Sequence, residues 1–271
     1  MSEKRFIFNA SAMALGGQIG RPFHEALETQ ASTVLPPVGG RATASVANYH
    51  YNDLISFRRG SSTVHGNIED GPNGRVYNTL STVSVEGLNI ADLITADQVV
   101  ARLVSERQEN ETEQRILPIG SYFVNLRVLG IPIDLQHAQI WNSSGDAKML
   151  LNPDEETHSE IRDGRTLPVG AEKNRKASEP FLDRYQVYSL YDTTAIPKGL
   201  ELERSHESSL QNRRLPAAWC LYLPGFGRVF FGEMIVTRDS RRLSMIRIEM
   251  GSPCKGSVVL AVTEGNGSTY P

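Results

Sequence analysis

Twice within residues 79–135 apolar and polar positions trade places one by one, the period of an extended chain with one face buried. Val83 and Val85 alternate with Ser84 and Glu86 until Gly87 breaks the run. Phe123, Asn125 and Arg127 alternate with Val124, Leu126 and Val128, and Gly130 turns the chain into residues 131–135. Alternation closed by glycine predicts paired strands. The pattern returns near the end, with strands predicted over 229–236 and 243–250 around a polar turn at 237–242. There Phe230, Met234 and Val236 are expected on the face of Gly232, with Ile246, Ile248 and Met250 on the facing strand. Glycine inside such a strand marks a bulge or a close approach by another backbone.

Elsewhere the pattern is shorter. Residues 5–8 read as a first strand, and 23–29 as one or two helical turns before Pro36-Pro37 and Gly39-Gly40 extend the chain. Ala42, Ala44, Val46, Tyr49 and Tyr51 are spaced for a strand, and residues 66–75 hold two turn dipeptides, Asp70-Gly71 and Asn73-Gly74. Residues 96–104 fit a helix through Ala96, Val99, Val100, Leu103 and Val104, and equally a strand through Val99, Ala101 and Leu103. Their β-branched content and strand neighbours favour the strand. Residues 185–190 alternate again. Two polar stretches, 143–184 and 198–214, lack apolar periodicity and are expected as surface insertions, the second with a short helix. The expected fold is all-β, an antiparallel sandwich or stacked sheets, in one domain over residues 1–271.

Composition narrows the function classes. At 271 residues the chain is long enough to bury about 70–75% of its unfolded surface without metals or disulfides. A net charge of −3 argues against nucleic-acid binding, and no stretch is apolar enough to span a bilayer as a helix. Asn9, Ser11 and Gly16-Gly17-Gln18 interrupt the apolar run that an export signal would need, so the cytoplasm is the default location. Cys220, in an apolar run, is expected to be an inert buried thiol and Cys254, beside Pro253, an exposed one. The two would pair only in an exported protein.

The candidate chemistry is sparse. There is no HExxH, Cys-x-x-Cys, G-x-S-x-G or phosphate-binding loop, so no catalytic group, metal or cofactor is assigned. His50, Asn52 and Asp53 fall in NYHYND, a polar strand end, and His65 follows across the predicted hairpin. These four are the candidate ligand-binding residues, for a carbohydrate or other small ligand, with a solvated sheet face as the plain reading. Glu86, Asp97 and Glu233 are strand-borne carboxylates that a glycoside hydrolase would have to bring together. The N-terminal strand has little flanking charge, and an unprotected edge there would pair with a second copy, giving a homo-oligomer.

STVSVEGLNIADLITADQVVARLVS, GSYFVNLRVLGIPI and the closing NGSTYP resemble the recurring core of bacterial β-rich surface proteins of the choice-of-anchor type. The resemblance rests on structural glycines and apolar residues. It implies an extracellular or surface-associated module without catalysis, in place of the cytoplasmic default. The reading that follows is a non-catalytic binding, structural or assembly protein. The alternative is a carbohydrate-active hydrolase.

Overall fold

The computed structural model describes residues 5–109, 115–138, 185–193, 196–204, 218–237, 240–251 and 254–270. Among these the regular elements are all strands. The first eleven are β1 (Arg5–Arg21), β2 (Glu25–Gln30), β3 (Thr33–Val34), β4 (Gly40–Tyr51), β5 (Ile55–Gly71), β6 (Gly74–Ile90), β7 (Ile94–Gln108), β8 (Arg115–Leu117), β9 (Tyr122–Val124), β10 (Arg127–Val128) and β11 (Ile131–Pro132). Six more follow: β12 (Tyr185–Ser189), β13 (Glu201–Arg204), β14 (Trp219–Leu223), β15 (Gly227–Thr237), β16 (Arg241–Met250) and β17 (Lys255–Tyr270). They build two antiparallel sheets packed together as the expected sandwich.

The eight-stranded sheet is a meander, β4 to β7, whose far edge is completed by β8, β9 and β10 lying one after another along β7. The nine-stranded sheet runs β13-β14-β15-β16-β17-β1-β2, with β12 beside β14 on β15 and β3 beside β2 on β1. The first and last strands pair along nearly their whole length, from Arg5↔Tyr270 to Arg21↔Lys255.

Several local expectations change. The strand at 5–8 is an edge only at its start: β17 flanks β1 on one side, and on the other the Phe8 N–H donates to the Pro37 carbonyl at 2.9 Å. Ala10, Ser11, Ala12 and Leu15–Ile19 are covered on that side too, which leaves only the start of β1 as the edge on which N-terminal self-pairing depends. Of residues 23–29, those from Glu25 on enter strand β2, because a helix this short is marginal alone whereas β1 offers a ready ladder. The loop at 66–75 shrinks to Pro72-Asn73, since β5 and β6 stay paired as far as Gly71↔Gly74. Residues 96–104 are strand, within β7. In the second insertion β13 forms a strand and not a helix, while 205–214, like the whole of 143–184, falls outside the described residues. Strand β17 was not anticipated at all.

The main departure from simple alternation is a crease that crosses both sheets. In the nine-stranded sheet two consecutive residues point inward on four neighbouring strands: Ala14-Leu15, Leu260-Ala261, Met245-Ile246 and Phe231-Gly232, all buried. They are in register, Leu15↔Leu260↔Ile246↔Phe231. In the eight-stranded sheet two consecutive residues point outward at one level: Ala47-Asn48, Arg58-Arg59, Glu86-Gly87, Asp97-Gln98 and Val124-Asn125. These are aligned too, Ala47↔Arg59↔Glu86↔Gln98↔Val124.

A residue in the left-handed region does not invert the side-chain direction as an extended residue does, so the buried face switches parity there. Positive φ occurs at this level on alternate strands: Asn48 (53°), Gly87 (64°) and Asn125 (51°) in one sheet, Gly232 (60°) and Ala261 (48°) in the other, with Ala31 (46°) just past β2. The two bends nest. A Cβ added at Gly60, the first inward residue after Arg58-Arg59, would lie 2.8 Å from the Ala14 Cβ, so only glycine fits. The switch also corrects the expected face of β15. Phe230 lies outward beside Arg247, whereas Met234 joins the interior.

Candidate functional site

The outward face of the eight-stranded sheet carries most of the organised polar chemistry among the described residues. Because the inward positions of β4 to β7 are taken by Ala42, Val46, Val64, Val83, Ala101 and their neighbours, the alternate residues must face solvent. At the middle of β4, β5 and β6 those residues are hydroxylated. Thr43, Thr63 and Thr82 stand in one cross-strand row, and Ser45, Ser61 and Ser84 in the next. Strand spacing of about 4.8 Å sets the interval between successive hydroxyls.

Both rows run toward β7 and its edge, where larger groups take over. The serine row continues through Val100 to Tyr122 on β9, whose ring is 43% exposed. Gln98 is fixed between them: its Nε2 donates to the Ser84 Oγ at 3.0 Å, and its Oε1 accepts from the Tyr122 hydroxyl at 3.5 Å. The Ser121 Oγ accepts from the Arg102 N–H at 2.9 Å and donates to the Arg102 carbonyl at 3.1 Å, tying the segment before β9 to β7. Tyr122 is thereby held on a short, doubly anchored strand.

Next to the serine row lies the crease, where two residues per strand crowd outward. Arg58 meets Glu86 at 3.2 Å, and the Asn125 Nδ2 donates to the Asp97 Oδ2 at 2.6 Å. The left-handed backbone at Asn125 aims its amide back at β7. The result is a polar strip with hydroxyls, amides, an ion pair and one exposed aromatic ring.

The four residues nominated from sequence are dispersed. His50 and His65 both face outward on this sheet, but His50 pairs with Ser56 and His65 with Arg41. Nine residues of β5 separate those positions, about 30 Å at strand rise, so the two imidazoles cannot share a metal. Asn52 (φ 46°) and Asp53 occupy the exposed turn between β4 and β5, close to His50 and far from His65. Among the described residues no three His, Cys, Asp or Glu side chains gather as a metal site. The hydrolase carboxylates divide. Glu86 and Asp97 lie on neighbouring strands at the crease, Glu86 opposite Gln98, whereas Glu233 lies on the other sheet, its two oxygens held by Arg247 at 2.8 and 2.7 Å.

That second polar cluster is more buried. Glu233 is 4% exposed; Arg247 also bonds Glu249, and its guanidinium lies 3.7 Å from the centre of the Phe230 ring. Burial disfavours the charged guanidinium, but the hydrogen bonds and charges of Glu233 and Glu249 outweigh it and raise the Arg247 pKa. Cys220, paired with Phe230 across β14 and β15, is buried; burial and then the charge of Glu203 push its thiol up to about 11. Both cysteines are free, and Cys254 is half-buried.

A third cluster joins the sheets at one end. His137 bridges to Tyr191, and the His137 Nε2 lies 2.5 Å from the Ser121 carbonyl, an acceptor that places the ring proton on this nitrogen. The Trp219 Nε1 donates to the Tyr191 carbonyl at 3.0 Å. Burial raises the pKa of the Tyr191 hydroxyl. This is a structural joint, in which the Phe123 ring packs against those of Tyr191 and Phe231.

Residues 6–237 match a family model described as a domain of unknown function, DUF8256. The chain belongs to that family. Neither the curated proteins nor the solved structures compared with it include a match. The matched span ends at the last residue of β15, so β16 and β17 lie beyond it although they complete the sheet around β1. Among the described residues no helix is long and apolar enough to cross a membrane.

Sequence reasoning passed over Tyr122, Gln98 and the hydroxyl rows. Their signal is present, as serine and threonine at every second position of RATAS, SSTVH and STVSV. It is a weak one, since such residues also furnish ordinary solvated sheet faces.

Proposed function

We propose that this protein is a non-catalytic β-sandwich binding module that presents the outer face of its eight-stranded sheet to a neutral glycan. The observation that carries the reading is the fixed line from Ser84 through Gln98 to the exposed Tyr122 ring, bordered by threonine and serine rows. A sugar chain offers alternating hydroxyls and flat C–H faces. Hydroxyl and amide rows answer the first and a half-exposed tyrosine the second. Arg58 with Glu86 supplies charge of both signs, which favours neutral over strongly anionic chains. A place at the bacterial cell surface, as the choice-of-anchor resemblance suggests, fits this role better than the cytoplasm.

The test is retention of the full chain by a panel of neutral, anionic and cationic polysaccharides, followed by calorimetric titration. Tyr122→Ala and Gln98→Ala should each weaken binding about tenfold, near 1.4 kcal/mol, without moving the melting temperature. Binding to no neutral polysaccharide, or binding indifferent to both variants, overturns the proposal. Release of reducing ends that Glu86→Gln or Asp97→Asn abolishes would instead establish the hydrolase alternative.

A further inference from the structure

The sheet edges are treated unequally. The nine-stranded sheet ends on β13, four residues reading ELER, and on the opposite side on β2, whose EALETQ carries two glutamates, beside the two-residue β3. The eight-stranded sheet ends at one side on β11, two residues of which one is Pro132. Short length, charge and proline are the usual means of stopping an edge from pairing with another chain. Its other side is β4. This strand runs twelve residues, GRATASVANYHY, with no proline, no carboxylate and a single charged residue, Arg41, near one end.

Among the described residues β4 pairs on one side only, with β5. A second observation concerns its inward face. The inward residues of β5 are buried, yet Ala42, Ala44, Val46, Tyr49 and Tyr51 on β4 pack on the core while remaining partly exposed. Tyr49 stacks on Phe57 at 4.9 Å, and the Tyr51 hydroxyl donates to Glu25 at 2.9 Å, so that end of the stripe is held in place. The Ala42-Ala44-Val46 half is the part left open next to the free backbone edge.

We infer that β4 is the self-association edge of this protein, pairing antiparallel with β4 of a second copy. A twofold axis near Ser45 joins the two eight-stranded sheets into one continuous sheet. Antiparallel self-pairing sets each Arg41 opposite the neutral far half of its partner strand and keeps the two guanidiniums well apart. It also brings the open Ala42-Ala44-Val46 stripes together on the inward side, where each covers the other. The outer faces become coplanar, so the threonine and serine rows of both copies extend one surface. The association does not depend on what that surface binds.

The experiment is sedimentation of the full chain over a wide concentration range, with Thr43→Lys/Ser45→Lys as the variant. Both positions are exposed and outward, so folding should survive, and an unchanged melting temperature checks that it does. Near the proposed axis the lysines of the two copies confront one another. The expected result is a concentration-dependent dimer whose dissociation constant rises at least tenfold in the variant, with amide exchange at residues 42–47 slowing as the dimer forms. A Thr82→Lys control, on β6 and away from the edge, should leave the dimer intact. A monomer at every concentration overturns the inference, and with amides at 42–47 already protected it would show the chain covering its own edge. A dimer indifferent to the double lysine variant overturns it as well.

Discussion

Gly232→Ala tests the crease directly. Gly232 adopts a φ of +60°, and an added Cβ would lie 2.6 Å from two Tyr191 ring atoms and 2.9 Å from the Leu190 Cβ. Left-handed backbone costs a non-glycine residue about 1–2 kcal/mol. Forcing a methyl group into a packed interior adds about 1–3 kcal/mol, here because Tyr191 is 1% exposed and its carbonyl is held by Trp219. The sum, about 2–5 kcal/mol, is a large share of the roughly 5–15 kcal/mol available to a folded domain. Gly225→Ala is the control: its φ is +77°, but nothing lies within 4 Å of the new methyl, so only the backbone penalty of about 1–2 kcal/mol applies. Urea unfolding read by tryptophan fluorescence reports both, since the Trp219 ring sits 6.0 Å from Phe231. Equal losses for the two variants would refute the claim that β15 turns its face against Tyr191.

Two further outcomes follow from the outward face of the nine-stranded sheet. Glu233→Leu should lose about 3 kcal/mol of stability, because it leaves the Arg247 guanidinium short of its main partner, whereas adding Arg247→Met should restore most of the loss; a double variant no better than the single one would refute the pairing. The Cys220 thiol should stay unreactive toward a disulfide reagent at pH 8 in the native protein while Cys254 reacts, since a group raised to about 11 is only about one part in a thousand thiolate there. Because its folded pKa lies above the ordinary 9.0, the associated stability is complete below pH 9 and is lost as pH climbs toward 11; Cys220→Ala should flatten that part of the pH–stability curve, and an unaltered slope would count against burial as the cause.

The sandwich was legible because several of its strands announce themselves locally. The β15–β16 hairpin, for example, has apolar runs on both sides of a polar turn. The crease was not, because each of its steps looks ordinary in isolation. Arg58-Arg59 and Asp97-Gln98 read as polar pairs, and Gly87 reads as the end of a strand that in fact continues to Ile90. Only registration across five strands turns them into one line, and registration is a property of the folded sheet. Strand β17 escaped notice because Gly256, Gly265 and Gly267 dilute its apolar stretch at 258–262, and its partner lies at the opposite end of the chain. The hydroxyl rows were hard to read for a similar reason. Histidines draw the eye as possible ligands, while the face is organised by common serines and threonines whose alignment depends on β5 and β6 staying in register.

The pairing of the first strand with the last puts an order on synthesis. Leu15 leaves the ribosome long before its partner Leu260 is made. At roughly 5–20 residues per second the interval is about 12–50 s, during which β1 has no long partner. The meander from β4 to β7 needs only its own neighbours and can be complete by then. The nascent protein is therefore half a sandwich waiting for β17. A ribosome that stalls or a message cut short before β17 leaves both β1 and β16 with bare edges at the centre of a sheet, a far more adhesive species than a truncated chain of the same length whose termini lie at the margin.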